Sequence, residues 1–481
     1  MLRIVFRQSS LYFATLLLAR AINFLALPIY ARVFAPTQFA VYELITIFAG
    51  LAGIVIVLEV SQGVARFYPE AKNDQDRRCY ASTAFWFTAM AYSAFCMFCA
   101  FGAEPISTWL LDSPDHQALF AIALLSIWSN GVCYLLQNQL RWQLQARHYA
   151  ASTIIVTLLS QGIAIFLILV FDLGLKGLFL GSFIGGAAGG AIAYHFCRSS
   201  IVLKVDWGKL RTMLRFAAPL AISGLAVFAA RYIDRFVIKE LMTLDDVGLY
   251  SVAARFASMA SVFLGGFQAA LLPLVTTFSK ETRTPDDLAR ILRYFVAGVL
   301  CAIFALAVFS HEIMLLLAGP RYAGAHFLVP LLATATLLSG MYVLAPGLWL
   351  SRRTGWMLSI NLATAALAIG LNFALIPLWG MLGAALATMI AGLANFLAFF
   401  AGNQLTYRIP AAYTRILLAT GLCIALCLGA IQWLPPSAHA LRIGFTILAL
   451  PLLLALLISP SEATRLLATA MAEVRQRRGA A

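Results

Sequence analysis

Charged side chains are scarce in this sequence. Of its 481 residues only 11% are Asp, Glu, Lys or Arg, whereas 62% are hydrophobic. A soluble domain carries about 25% charged residues, so the scarcity excludes an ordinary water-soluble protein. Long polar connections are also missing, because no break between apolar stretches exceeds about twenty residues. The sequence therefore predicts a chain without an extramembrane domain.

Enzyme and metal-site motifs are absent too. The sequence has no phosphate-binding glycine loop, nucleophile constellation or metal-ligand spacing. His311 and Glu312 form an isolated pair, and Cys96 and Cys99 lie in an apolar stretch that favours a packing role. We therefore predict no catalytic centre, no metal and no cofactor. The net charge of +14 is assigned to membrane orientation rather than to nucleic-acid binding.

Apolar stretches long enough to cross a bilayer recur along the whole chain. A transmembrane helix needs roughly 17–25 such residues, and these stretches lack the alternating polarity of barrel strands. The predicted fold is an all-α membrane protein with about fourteen transmembrane helices. The predicted spans are 9–31, 40–62, 80–103, 117–138, 151–171, 177–197, 216–234, 247–273, 294–317, 326–350, 356–376, 381–401, 413–434 and 442–458.

Basic residues are divided unequally between the two sides of this topology. An excess of Lys and Arg marks cytoplasmic loops. With both termini inside, 25 of the 34 basic residues fall on the cytoplasmic side. Six, among them Arg235 and Arg442, fall on the opposite side, and three fall within spans. The sequence therefore predicts a multi-pass protein with both termini cytoplasmic.

The two halves of the chain resemble each other at a nearly constant offset. Residues 33–42 parallel residues 241–250 at an offset of 208, and Gly177 and Gly383 open matching segments at an offset of 206. Such duplication predicts two parallel six-helix repeats around a central cavity. The predicted organisation is a first six-helix bundle (1–200), a second six-helix bundle (201–410), two additional C-terminal transmembrane helices (411–459) and a basic cytoplasmic tail (460–481).

Four stretches of sequence carry a resemblance to one family. They are 27–43, 64–70, 232–236 continued by 247–253, and 268–274. Together they resemble the Wzx-type polysaccharide and O-antigen flippases of the multidrug/oligosaccharidyl-lipid/polysaccharide (MOP) exporter superfamily. The sequence departs from the family at Ala40, where glycine is frequent, whereas the second repeat has Gly248 at the matching position.

This resemblance implies a transporter rather than an enzyme. It implies translocation of an undecaprenyl-pyrophosphate-linked oligosaccharide from the cytoplasmic to the periplasmic leaflet of the bacterial inner membrane, by alternating access. It also implies work beside a polysaccharide polymerase and glycosyltransferases. The alternatives are a peptidoglycan-precursor flippase, a multidrug or cation exporter of the same superfamily, and an integral-membrane glycan polymerase or ligase.

Three arginines fall at membrane depth, where a charge costs roughly 2.5–3.5 kcal/mol on insertion scales. Guanidinium groups suit phosphate oxygens because they donate two parallel hydrogen bonds. We therefore predict that Arg20, Arg231 and Arg255 contact the diphosphate headgroup. These arginines also argue against an exporter of cations, whose cavity would favour acidic or aromatic side chains.

Three carboxylates share this depth. Glu43, Glu59 and Asp234 are candidates for H+ or Na+ coupling, because burial favours the protonated form of a carboxyl group. Internal ion pairing is the alternative, for example between Arg20 and Glu43. For Glu59 the sequence favours solvation near a cytoplasmic helix end, and for Asp234 it favours a structural ion pair.

Overall fold

The computed structural model describes residues 2–261, 264–265, 284–341, 348, 354–406, 410, 413–433, 438–458 and 462. These residues form helices joined by short turns, and no strand occurs among them. The predicted all-α fold is confirmed. The motif at 268–274 and, apart from residue 462, the basic tail at 460–481 lie outside the described residues.

Sixteen α-helices are labelled in chain order. They are α1 (Leu2–Val33), α2 (Pro36–Val55), α3 (Val60–Phe67), α4 (Asp74–Phe101), α5 (Ala103–Leu111), α6 (Gln117–Trp142), α7 (Ala146–Phe171), α8 (Gly174–Cys197), α9 (Trp207–Leu241), α10 (Leu244–Ala257), α11 (Thr284–Ala318), α12 (Pro320–Ala323), α13 (Leu328–Gly340), α14 (Thr354–Thr406), α15 (Tyr413–Trp433) and α16 (His439–Leu457).

Apolar helices occupy the predicted spans. Ten helices of the described chain are long and apolar enough to cross a membrane. One of them, α14, contains two predicted spans, because its backbone breaks at Gly380 with φ 56° and ψ −137°. Two shorter apolar helices, Leu328–Gly340 and Thr414–Cys427, lie in two further spans. The remaining span begins with α10 and continues largely outside the described residues.

The structure divides the second predicted span. One helix was expected over 40–62, but α2 and α3 are separated by a turn at residues 56–59. Leu58 and Glu59 have φ values of 45° and 53°, in a left-handed region that costs an L-residue roughly 1–2 kcal/mol. The β-branched run at 54–57 lowers helix propensity just before this break. A broken helix at membrane depth is therefore built into the first repeat.

Contacts divide the chain into two units, Met1–Val252 and Ala253–Ala481. In the first unit α8 packs on α6 and α7, and α1 packs on α7. Gly181 and Gly185 permit the close approach of α7, since a Cβ at either position would overlap Ala164 or Ser160. Helix α9 begins the second repeat in sequence, yet it packs on α2, α3 and α4 of the first unit. The predicted bundle boundary at residue 200 stays a prediction.

The two turns related by the offset of 208 have equivalent caps. The backbone N–H of Ala35 donates to Gln38 Oε1 at 3.0 Å, before α2. The N–H of Thr243 donates to Asp246 Oδ2 at 3.2 Å, before α10. A side chain three residues into each helix thus satisfies the donor at its start. The repeat read from the sequence therefore has a structural counterpart.

The same two turns touch each other, and this contact explains why residue 248 is a glycine. A Cβ on Gly248 would overlap the carbonyl group of Pro36, and nearby Thr37 Oγ1 donates to Asp245 Oδ1. Ala40, the equivalent of Gly248, is fully buried and has room for its methyl group. The departure from the family pattern at Ala40 is therefore compatible with this packing.

In the second unit α11 packs on α13, α15 and α16, and α13 packs on α14. The Nη1 of Arg442, on α16, donates to Glu312 Oε1 at 2.6 Å and to the carbonyl of Val308 at 3.0 Å. Arg442 is 4% exposed, and its place on the side opposite the cytoplasm stays a prediction. The ring of His311 lies 5.1 Å from that of His326.

Candidate functional site

A Lys–Asp ion pair lies at each end of the first unit. At one end Lys239 Nζ lies 2.8 Å from Asp112 Oδ1, and at the other Lys209 Nζ lies 2.6 Å from Asp76 Oδ1. Asp76 is in the first turn of α4, whereas Asp112 follows α5, so the two pairs mark opposite ends of the bundle. Segments assigned to opposite membrane sides therefore lie at opposite ends of this unit.

A cavity of about 500 Å³ with both polar and apolar lining residues lies in the first unit, between α1, α2, α4, α6, α7 and α8. Ligand pockets typically have volumes of roughly 300–1,000 Å³, so the space is large enough for a small organic group. Hydroxyl and amide groups dominate its polar lining. The larger polar side chains are Tyr30, Tyr42, Tyr92, Tyr134, Asn130, Gln161 and Glu59.

A chain of hydrogen bonds crosses the cavity wall from α1 to α7. Tyr30 Oη donates to Gln161 Oε1, and Gln161 Nε2 donates to Asn23 Oδ1 at 2.7 Å. On α6, Asn130 Nδ2 donates to the carbonyl of Ser126 at 2.8 Å. These bonds fix the orientation of two amides, each of which can both donate and accept hydrogen bonds.

The aromatic ring of Tyr92 lies directly on Gly131. A Cβ at Gly131 would overlap the ring, and a Cβ at Gly53 would lie 3.4 Å from Tyr92 Oη. Tyr92 is only 6% exposed, so two glycines on α2 and α6 make room for a ring fixed at the cavity wall. Sequence reasoning missed this group, although glycine inside a helix is a signal of close packing.

Glu59 lines the cavity from the break between α2 and α3. Its side chain is half-buried at the start of α3, and the interfacial role favoured by the sequence stays a prediction. Non-helical backbone at membrane depth is tolerated where it lines a cavity, and left-handed residues cluster at functional sites. Within the described ranges no group of three or more His, Cys, Asp or Glu residues could hold a metal ion.

A buried ion pair lies between α9 and its neighbours, away from the cavity lining. Arg235 Nη1 donates to both carboxylate oxygens of Asp234, at 2.7 and 2.8 Å, and Tyr250 Oη donates to Asp234 Oδ2 at 2.6 Å. Glu43 is also buried and interacts electrostatically with Arg235. Arg235 is 7% exposed, and its place on the side opposite the cytoplasm stays a prediction.

The three predicted headgroup arginines lie elsewhere. Arg20 and Arg231 are exposed on α1 and α9, and Arg255 is half-buried on α10, in the second unit. None of the three is among the residues that the structure describes around the 500 Å³ cavity. Their contact with a headgroup stays a prediction, and the cavity itself was not anticipated from their positions.

Solved structures of membrane transporters share this fold. Lipid II flippase MurJ, in an inward closed conformation, aligns with a TM-score of 0.68 and 15% identity, over 92% of this chain and 97% of its own. An inward-facing multidrug resistance MATE family transporter of the MOP superfamily aligns with a TM-score of 0.65 and 13% identity, over 80% and 94% of the two chains. The chain thus has the membrane-transporter fold of the MOP superfamily.

A family match gives the more specific assignment. Residues 5–279, more than half of the chain, match the profile of the polysaccharide biosynthesis protein family, and the chain belongs to this family. A probable low-salt glycan biosynthesis flippase, Agl15 of Haloferax volcanii, is 23% identical over 201 residues, which are 41% of this chain and 43% of the relative. These relatives are flippases and transporters, in agreement with the predicted resemblance and with a non-enzymatic role.

Proposed function

We propose that this protein is a flippase for an undecaprenyl-pyrophosphate-linked oligosaccharide, which it moves from the cytoplasmic to the periplasmic leaflet by alternating access. One observation carries the proposal: a cavity with hydroxyl and amide groups in its lining lies in an apolar helical bundle of a chain that belongs to the polysaccharide biosynthesis protein family. Burying an unpaired hydroxyl or amide in an apolar medium costs roughly 2–7 kcal/mol. A glycan therefore needs a polar passage of this kind.

The diphosphate requires a different environment from the sugars. Arg20, Arg231 and Arg255 remain our proposed headgroup contacts, because an exposed guanidinium at membrane depth can bind phosphate oxygens. Replacing Arg20 or Arg255 by Ala is expected to leave membrane insertion unchanged while transport is lost. If both variants transport at the wild-type rate, Arg20 and Arg255 do not bind the headgroup during transport.

Cation coupling is proposed at Glu59, with H+ and Na+ as the two candidate ions. Glu59 combines a half-buried carboxyl group, a helix break and direct access to the cavity. Glu43 and Asp234 act in ion pairing instead, since both interact with Arg235. Glu59→Gln should transport at a rate that no longer responds when the H+ or Na+ gradient is collapsed. If the wild-type transport rate is unchanged when both the H+ and Na+ gradients are collapsed, coupling to these cations is excluded.

The cellular setting follows from the same proposal. We place the protein in the bacterial inner membrane with both termini cytoplasmic, as the distribution of 25 and six basic residues favours. Its substrate would come from glycosyltransferases on the cytoplasmic side and pass to a polysaccharide polymerase on the other.

Deletion of the gene tests the function directly. Short undecaprenyl-linked repeat units should accumulate, measured by mass spectrometry, and surface polysaccharide should disappear from gels. The wild-type gene should restore both. If the lipid-linked intermediates are unchanged in the deletion strain, the protein does not flip them.

A second candidate is an exporter of amphipathic organic cations. Four tyrosines and Glu59, without Lys or Arg among the described lining residues, are the kind of cavity that such an exporter would favour. The three intramembrane arginines that argued against this function lie outside the lining. Ethidium retention in the deletion strain, reversed by the wild-type gene but not by Glu59→Gln, would favour export over flipping.

A further inference from the structure

We propose that the cavity of the first unit is a subsite for the uncharged, hydroxyl-rich sugars of the transported lipid, and that the diphosphate is held outside it. This inference rests on the proposed flippase function and deepens it. It assigns the recognition of the glycan to Tyr30, Tyr92, Asn130 and Gln161, which line one partly open cavity. The intramembrane arginines have no part in that subsite.

The hydrogen-bonding groups of the cavity match those of a sugar. A sugar hydroxyl donates one hydrogen bond and accepts others, so its partners must offer both kinds of group. Carboxamides and hydroxyls do so without a net charge. Gln161 and Asn130 are oriented by hydrogen bonds to Asn23 and Ser126. Such preorganisation reduces the entropy lost when a ligand binds.

Tyr92 supplies a rigid apolar face beside these polar groups. Its ring is fixed against Gly131, and Trp128 Nε1, two residues before Asn130 on the same helix, donates to Ser93 Oγ of α4 at 2.9 Å. An aromatic side chain is apolar across its ring and polar at its hydroxyl. The fixed ring of Tyr92, 6% exposed, therefore forms part of the wall of the space in which the hydroxyls of a sugar can meet the amides.

The charge distribution excludes the diphosphate from this space. Glu59 is the single charged residue in the described lining, and its negative charge would repel phosphate. Arg20 lies three residues before Asn23 on α1, so the two Cβ atoms are about 5–6 Å apart on neighbouring surface positions. Arg20 therefore stands next to the Asn23–Gln161–Tyr30 chain but outside the cavity, where a diphosphate could follow the sugars.

Binding to two lipids tests the subsite. The purified protein in nanodiscs is titrated with the lipid-linked oligosaccharide extracted from the deletion strain and, separately, with undecaprenyl diphosphate that carries no sugar. Thermophoresis gives the Kd of each. The wild type should bind the glycosylated lipid at least tenfold more tightly. Gln161→Leu and Tyr92→Leu should each remove this advantage while the Kd for undecaprenyl diphosphate stays within twofold.

Gln137→Leu is the matched control. Gln137 also joins two helices, donating from Nε2 to Ser152 Oγ at 3.1 Å, but it does not line the cavity. Both Kd values should be unchanged in this variant, and its melting temperature calibrates the loss of one interhelical hydrogen bond.

Three results would overturn the subsite. The first is equal affinity of the wild type for the two lipids. The second is that Gln161→Leu and Tyr92→Leu weaken the binding of both lipids equally. The third is that tetraphenylphosphonium displaces the glycosylated lipid from the wild type but not from Glu59→Gln. Failure of the flippase function would differ, because the wild type would then bind neither lipid.

Discussion

The first unit contains two polar regions at membrane depth that are built in opposite ways. Around Asp234, charged groups are buried, close together and satisfied by one another, with Arg235 donating to both carboxylate oxygens. Around Gln161 and Tyr92, the groups are mostly neutral and border about 500 Å³ of open space. The comparison teaches that charged residues at membrane depth can stabilise the fold through ion pairs. Neutral amide and tyrosine side chains can instead line the space where a ligand binds.

The largest effect should come from breaking the charged region. Arg235→Leu removes the positive charge beside the buried Asp234, which keeps the hydrogen bond from Tyr250, and loss of one member of a buried ion pair costs about 3–5 kcal/mol. We expect a large drop in melting temperature and in the yield of folded protein. Arg231→Leu, one helical turn away and exposed, is the control and should melt close to the wild type. Equal stability of the two variants would show that the pair does not support the fold.

The next effect should come from crowding the neutral region. Gly131→Ala places a methyl group against the ring of Tyr92, and overpacking costs typically about 1–3 kcal/mol. Because the ring must move, the flipping rate should fall by more than the loss of stability explains. Gly162→Ala on α7 meets no atom within 4 Å and should leave both properties unchanged. If the Gly131→Ala protein transports at the wild-type rate, the position of the Tyr92 ring does not affect transport.

A loss of stability of similar size, without a direct effect on the cavity, should distinguish the two equivalent turns. In Gly248→Ala the new methyl group would overlap Pro36, and we expect a loss of about 1–3 kcal/mol. In Ala40→Gly a buried position in a helix gains backbone freedom, at a cost of about 0.5–1 kcal/mol. Urea unfolding in detergent should rank the two in that order. The reverse ranking would mean that Gly248 is not held by this contact.

The smallest effect concerns a half-buried charge at the start of α9. Asp206 caps α9, and its pKa lies below the ordinary 3.8, first because the backbone N–H of Lys209 donates to it. A lowered folded pKa stabilises the folded state above 3.8, and this contribution is lost as pH falls through the folded value. Asp206→Asn keeps a capping oxygen, so melting between pH 6 and pH 3 should be less steep than in the wild type. Identical profiles would contradict this.

Much of the fold could be predicted, because apolar length and the distribution of Lys and Arg are properties of the sequence alone. The division of 40–62 by Leu58 and Glu59 could not, since neither residue is a usual left-handed residue and the packing around them selects that conformation. The cavity could not be predicted from the sequence for another reason. Tyr30, Asn130 and Gln161 are neutral and lie far apart in sequence, so only the fold brings them together.

Reconstituted flipping is the most direct test of the central claim. Proteoliposomes would carry the lipid-linked oligosaccharide extracted from the deletion strain in one leaflet, and its arrival in the other leaflet would be followed with a membrane-impermeant lectin. We predict translocation by the wild type and by Gly162→Ala, with at least tenfold slower movement by Gly131→Ala. The account would be contradicted if translocation in liposomes with the wild-type protein were no faster than in protein-free liposomes. It would also be contradicted if Gly131→Ala moved the lipid as fast as the wild type.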